Sequence, residues 1–159
     1  MTHKIALLDT SFFLRFLNDK DPLFKNAEKF FRHFIDNKIA MAISTISIAE
    51  YCVGGDIQEL PLKNLKVIPF NVSHAKRTGE FAKIAFINRG SLQLSQRNII
   101  PNDTKLFAQA DVEVNVEYYL TSDKESEKLF QLLKIHAKPS FQFINLETPC
   151  SEAFGILDF

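Results

Sequence analysis

Four carboxylates stand where a plain soluble fold would place an apolar or uncharged side chain. Asp9 closes the apolar run at residues 4–8 (KIALL), which is bounded like a buried strand. Asp123 follows a second strand-like run at 117–120 (EYYL). In a parallel sheet both fall at carboxyl ends, the side on which open α/β folds bind ligands. Glu50 shares a helix face with Ile46 and Val53, and Asp103 is in line with Phe107 and Ala110. Two acids at strand ends and two on inward helix faces can converge on one point.

Such a cluster has a definite electrostatic requirement. Two like charges about 4 Å apart repel by roughly 4 kcal/mol at an effective dielectric of 20. Several carboxylates stay ionised together only when a cation neutralises them. With oxygen donors and no His or Cys cluster, that cation is hard, Mg²⁺ or Mn²⁺ rather than Zn²⁺. Ions held this way grip phosphate oxygens and activate water in phosphodiester cleavage. Taken singly, Asp9, Asp103 and Asp123 also fit a simpler role, since each precedes or opens a predicted helix whose first N–H groups need acceptors. Glu50 has the weakest such excuse, being mid-helix among apolar residues with no neighbouring Lys or Arg.

The elements that must position these acids alternate. Strands are predicted at 4–8, 39–43, 65–70, 117–120 and 141–146. Between them, helical spacing runs over 10–18, 22–37 (started by Asp21-Pro22), 45–53, 73–88 and 101–115, then 122–136 with a Ser122-x-x-Glu125 capping box. Residues 91–98 read as a loop, and nothing is assigned after 146. Strands alternating with helices imply a three-layer α/β/α sandwich on a mainly parallel sheet. The helices at 10–18 and 22–37 carry more apolar surface than covering a sheet requires, so either the two helices bury the surplus against each other or an exposed patch remains there, suited to a homodimer or a partner's apolar helix.

Composition narrows the classes. A chain of 159 residues predicts one domain with a full core. Its 19 basic and 19 acidic side chains give a formal net charge of zero, which argues against a protein that coats nucleic acid generally. Two cysteines far apart in sequence build neither a disulfide framework nor a CxxC site. No membrane-length apolar run and no signal-peptide layout are present, so a cytoplasmic location is expected. The four histidines have no metal-ligand spacing and are expected at the surface. No nucleotide-binding glycine loop or nucleophile elbow occurs. An Asp-nucleophile phosphatase would need an acid two positions after Asp9, where Ser11 stands. The 16 phenylalanines lie at helical spacing, as core residues do, rather than on one strand face as a base-stacking platform.

The strings LLDTSFFLRFL, STISIAEY, NDTKLFAQA and YLTSDKES, in that order across residues 5–125, resemble a PIN-domain nuclease. The likeness is closest to the small prokaryotic VapC-type toxin ribonucleases, and the ending ETPCSEAFGILDF matches their style. The resemblance implies a PIN-like fold over residues 1–159 and Mg²⁺- or Mn²⁺-dependent hydrolysis of single-stranded RNA, with an antitoxin protein and a homodimer as partners. It makes Asp9, Glu50, Asp103 and Asp123 the catalytic and metal-binding acids, Asp9 and Asp123 the most direct ligands, and Thr10 and Thr121 their polar supports. Arg15, Arg89, Arg97 and Lys124 are the local candidates for RNA contacts. Two other readings share this fold, an RNA-processing nuclease without an antitoxin and a catalytically silent binding module.

Overall fold

The apolar runs become five parallel strands in the computed structural model, which describes residues 3–88 and 101–157. In chain order these are β1 (Ile5–Leu8), β2 (Ala40–Ser44), β3 (Leu65–Ile68), β4 (Val116–Thr121) and β5 (Gln142–Asn145), arranged β3-β2-β1-β4-β5 across the sheet. The helices are α1 (Thr10–Phe16), α2 (Phe24–Asp36), α3 (Thr45–Tyr51), α4 (Val72–Asn88), α5 (Asn102–Val112), α6 (Lys124–His136) and α7 (Cys150–Ala153).

Strand side chains alternate between two cores. Ala6, Leu8, Met41, Ile43, Tyr118 and Leu120 face α1, α2 and α3 with Phe12, Phe13, Phe30, Phe34 and Tyr51. Ile5, Leu7, Ala42 and Tyr119 face α4, α5 and α6 with Phe81, Phe107, Phe130 and Leu133. Because both faces are covered, the central strands read as unbroken apolar runs rather than alternating ones. The result is the expected three-layer arrangement. Leu7 and Leu8 pair with Tyr119 and Leu120, and the Asp9 amide continues the ladder onto the Leu120 carbonyl at 3.1 Å. That register sets Asp9 beside Thr121.

Several local expectations are corrected. Asp21-Pro22 does not start α2, whose N-cap is Leu23 without a side-chain hydrogen bond. Asp21 instead accepts the Leu23 amide at 2.8 Å and an ion pair from Arg15 at 2.7 Å, so the dipeptide forms a turn clamped from α1. The Ser122 capping box is replaced by Asp123, which accepts the Glu125 amide at 2.9 Å, because β4 extends to Thr121 and delays the helix start. The chain between α3 and β3 makes two short 3₁₀ turns, Ile57–Glu59 and Leu62–Asn64, that apolar periodicity did not signal. His74, expected at the surface, is fully buried: its Nδ1 accepts the Asn71 amide at 3.0 Å, so Nε2–H faces Glu113 at 2.7 Å. The expected loop at 91–98 lies outside the described residues.

The apolar surplus of α1 and α2 is mostly absorbed between them. Phe12 and Phe13 are fully buried, and Phe16 stacks on Phe31 with centroids 4.6 Å apart. Leu14 and Ile35, each 55% exposed, and Leu17 at 37% remain open to solvent. No helix among the described residues is long and apolar enough to cross a membrane.

Candidate active site at the carboxyl edge of the sheet

Asp9 is only 5% exposed, and protein donors surround its carboxylate. Oδ1 accepts the Ser11 amide at 2.6 Å, the Ser11 hydroxyl at 2.5 Å and the Phe12 amide at 3.4 Å. Oδ2 accepts the Thr121 hydroxyl at 2.6 Å and the Tyr119 phenol at 3.4 Å. Asp9 is therefore the N-cap of α1 and also ties that helix to β4. Burial pushes its pKa up, and the hydrogen bonds from Ser11, Thr121 and Phe12 oppose the rise.

The other three acids come from separate elements. Asp123 follows β4, is half-buried, and caps α6. Asp103 lies in the first turn of α5, where burial raises its pKa and the charges of Asp123 and Asp9 raise it further; the Ser126 hydroxyl opposes the rise from beyond hydrogen-bond geometry. Glu50, on α3, accepts the Thr10 hydroxyl at 3.2 Å. Tyr119 senses three of the four acids. Its fully buried phenol is pushed well above the usual tyrosine range, first by burial and then by the charges of Asp9, Asp103 and Glu50. It thus stays a donor.

Among the described residues, no Lys or Arg pairs with Asp9, Glu50, Asp103 or Asp123. Nor do any three His, Cys, Asp or Glu side chains among them form a ready-made metal cage. The four acids are electrostatic neighbours rather than a preformed chelate.

The expected RNA contacts fare unevenly. Arg15 is committed to Asp21 at 2.7 Å, while Lys124 is exposed beside Asp123, 3.8 Å from Glu147. Arg89 and Arg97 lie outside the described residues. Thr10 donates to Glu50 and Thr121 donates to Asp9. Sequence reasoning missed Ser11, Tyr119 and Ser126 as parts of the site. For Tyr119 a signal existed: it shares strand parity with Thr121, so both face the same side of β4. A groove of about 670 Å³ along the β5 edge, lined by Phe130, Lys134 and Phe143 among others, contains none of the four acids.

No family model matches the sequence, and no curated protein matches it. Solved structures do. VapBC2 from Rickettsia felis, bound to a DNA fragment from their promoter, is 19% identical with a TM-score of 0.62, over 89% of this chain and 98% of that one. FitAcB from Neisseria gonorrhoeae is 15% identical with a TM-score of 0.62, over the same 89% and 98%. VapC20 from Mycobacterium tuberculosis, described as a sarcin-ricin loop cleaving toxin, is 12% identical with a TM-score of 0.53, covering 77% of this chain and 93% of its own. The fold is thus an α/β sandwich of the PIN type. More narrowly, it is VapC-like.

Proposed function

We propose that residues 1–159 form one nuclease domain that hydrolyses phosphodiester bonds of single-stranded RNA with Mg²⁺ or Mn²⁺, acting as the toxin of a toxin–antitoxin pair. One observation carries this reading. The charges of Asp123 and Asp9 act on Asp103, those of Asp9, Asp103 and Glu50 act on the Tyr119 phenol, and none of the four acids has a basic partner among the described residues.

An all-oxygen donor set of mutually repelling acids fits a hard divalent ion. Asp9 and Asp123 are its most direct ligands, with Glu50 and Asp103 binding it or ordering its water. Bound there, the ion supplies an activated water and steadies the charge on the phosphate and the leaving oxygen. The protein supplies the positioning. Thr121 and Ser11 hold the Asp9 carboxylate, Thr10 holds Glu50, and Lys124 offers an exposed ammonium to the RNA backbone beside Asp123. The likeness to VapBC complexes supports an antitoxin as partner, and the exposed Leu14, Leu17 and Ile35 offer it or a second copy apolar contact.

Purified protein incubated with end-labelled single-stranded RNA is expected to cut in Mg²⁺ or Mn²⁺ and not in EDTA, with Asp123→Asn inactive throughout. Cleavage in EDTA, or by Asp123→Asn, overturns the reading. A reading frame for a small DNA-binding protein beside this gene separates a toxin from an RNA-processing nuclease. The silent binding module is favoured by one observation, that protein donors already occupy both Asp9 oxygens. Binding of RNA without cleavage in either metal would establish it.

A further inference from the structure

The protons around Asp9 have fixed directions. Ser11 Oγ lies 2.5 Å from Asp9 Oδ1 and 2.8 Å from the Ser122 amide nitrogen. An amide N–H only donates and an ionised carboxylate only accepts, so with Asp9 ionised the Ser11 proton points at Asp9. The same logic holds for Thr121, whose Oγ1 accepts the Asp123 amide at 3.0 Å and donates to Asp9 Oδ2 at 2.6 Å. With both protons committed, the 3.2 Å approach of the two hydroxyl oxygens carries neither. Two parallel relays therefore connect consecutive amides of the turn bearing Asp123 to the two oxygens of Asp9.

Thr121 belongs to β4, and its relay would persist wherever α1 lay. Ser11 belongs to α1, and its hydroxyl reaches across to the turn after β4. Helix capping does not need that hydroxyl, because Asp9 caps α1 through the backbone amides of Ser11 and Phe12. The side chain thus has a task separate from the cap.

We propose that Ser11 is a positioning residue of the candidate site: its hydroxyl holds the Ser122–Asp123 turn against Asp9 and so sets how the two carboxylates face one another. The assignment rests on the nuclease reading above. It differs from a general stabilising role in what its loss does. Alanine leaves the cap intact and removes only the link from α1 to the turn. Ser122 is half-buried, so water can take up its freed amide, and the fold should survive. The turn, and Asp123 with it, becomes free to drift.

The test compares wild type, S11A, S11T and S11C, the last being isosteric with a weaker donor. Three quantities are read: amide exchange at Ser122 and Asp123 by NMR, Mn²⁺ affinity of RNA-free protein by calorimetry, and kcat and KM on single-stranded RNA. For S11A we expect Ser122 to exchange on the order of tenfold faster with Asp123 less affected, as one hydrogen bond is lost. Mn²⁺ should bind about tenfold more weakly, and kcat should fall while KM stays near wild type. S11T should restore all three, and S11C should fall between. Should S11A not fold, S11C carries the same comparison. Unchanged exchange at Ser122, or wild-type Mn²⁺ affinity and kcat in S11A, rejects the role of Ser11 while leaving the nuclease standing. A wild-type protein that neither binds Mn²⁺ nor cuts RNA rejects the nuclease reading, and this assignment with it.

Discussion

The Thr121 hydroxyl donates to Asp9 Oδ2 across 2.6 Å, joining the end of β4 to the end of β1 beneath the candidate site. This bond makes the two strand-end acids unequal. Asp9 is buried and held by the protein, whereas Asp123 is half-buried and caps α6 at the surface of the site.

That inequality predicts opposite stability effects for the same substitution. In Asp9→Asn the new amide nitrogen must displace a donor, either the Thr121 hydroxyl or the Ser11 pair. Losing hydrogen bonds to a charged acceptor costs about 1.5–3 kcal/mol each, partly offset by relief of repulsion. Asp123→Asn keeps a capping side chain and removes a repelling charge. Melting in EDTA should place Asp9→Asn below wild type and Asp123→Asn at or above it. Equal losses in both would mean that the acids serve alike as caps.

Asp103 sets a pH dependence whose sign follows from its raised pKa. The folded state then holds this proton more tightly than the unfolded chain, so the contribution of Asp103 to stability is greatest at low pH and lost as pH climbs through the folded-state value. The loss begins as pH passes 3.8, the ordinary value for this group, and ends above the raised one. Chemical unfolding of metal-free wild type and Asp103→Asn across that window should show a steeper fall in wild type, the fall that remains in Asp103→Asn coming from the raised pKa of Asp9. A parallel pH profile for both proteins would exclude it.

The legibility of the chain in sequence varied with the range of the interactions involved. Strand identity and the two-faced sheet were readable because burial on both faces leaves continuous apolar runs such as IALL of β1. The acids were readable as charges in apolar settings. Asp21 misled because its side chain is claimed by Arg15 and the Leu23 amide, a contact between elements that local helix-start rules do not see. His74 misled because its partner Glu113 is far off in sequence. In sequence Ser11 stood out as the residue where an Asp-nucleophile phosphatase would need an acid. Its role depends on the Ser122 amide, brought to it only when β1 and β4 pair.

Gly55 bears on the site through Tyr51, the neighbour of Glu50. A Cβ at Gly55 would lie 2.5 Å from Tyr51 Cε1, and the Tyr51 ring is buried with its hydroxyl 3.3 Å from Glu59. Gly55→Ala should therefore displace the ring and destabilise the fold by about 1–3 kcal/mol. Urea unfolding measures it. A change under about 0.5 kcal/mol, the range of ordinary surface substitutions, would show that the ring moves freely.

RNA affinity should depend weakly on salt, because the chain has no net charge and Arg15 is already paired. At about −0.7 per phosphate contact on a single strand, the slope of log K against log salt should be roughly −2 to −3. A slope near −6 on the same scale would reveal a basic surface larger than Lys124 and its neighbours provide.

On the proposed function, Asp9, Glu50, Asp103 and Asp123 form one site that requires a divalent cation. A melting series at increasing Mn²⁺ tests it most directly, with Mg²⁺ as the parallel and Asp123→Asn as the control. A cation bound only to the folded state stabilises by about 2.7 kcal/mol at a hundred times its dissociation constant, so the wild-type Tm should climb steadily with Mn²⁺. Asp123→Asn should respond far less. A wild-type Tm indifferent to Mn²⁺ and Mg²⁺, or an equal rise in Asp123→Asn, would contradict the account.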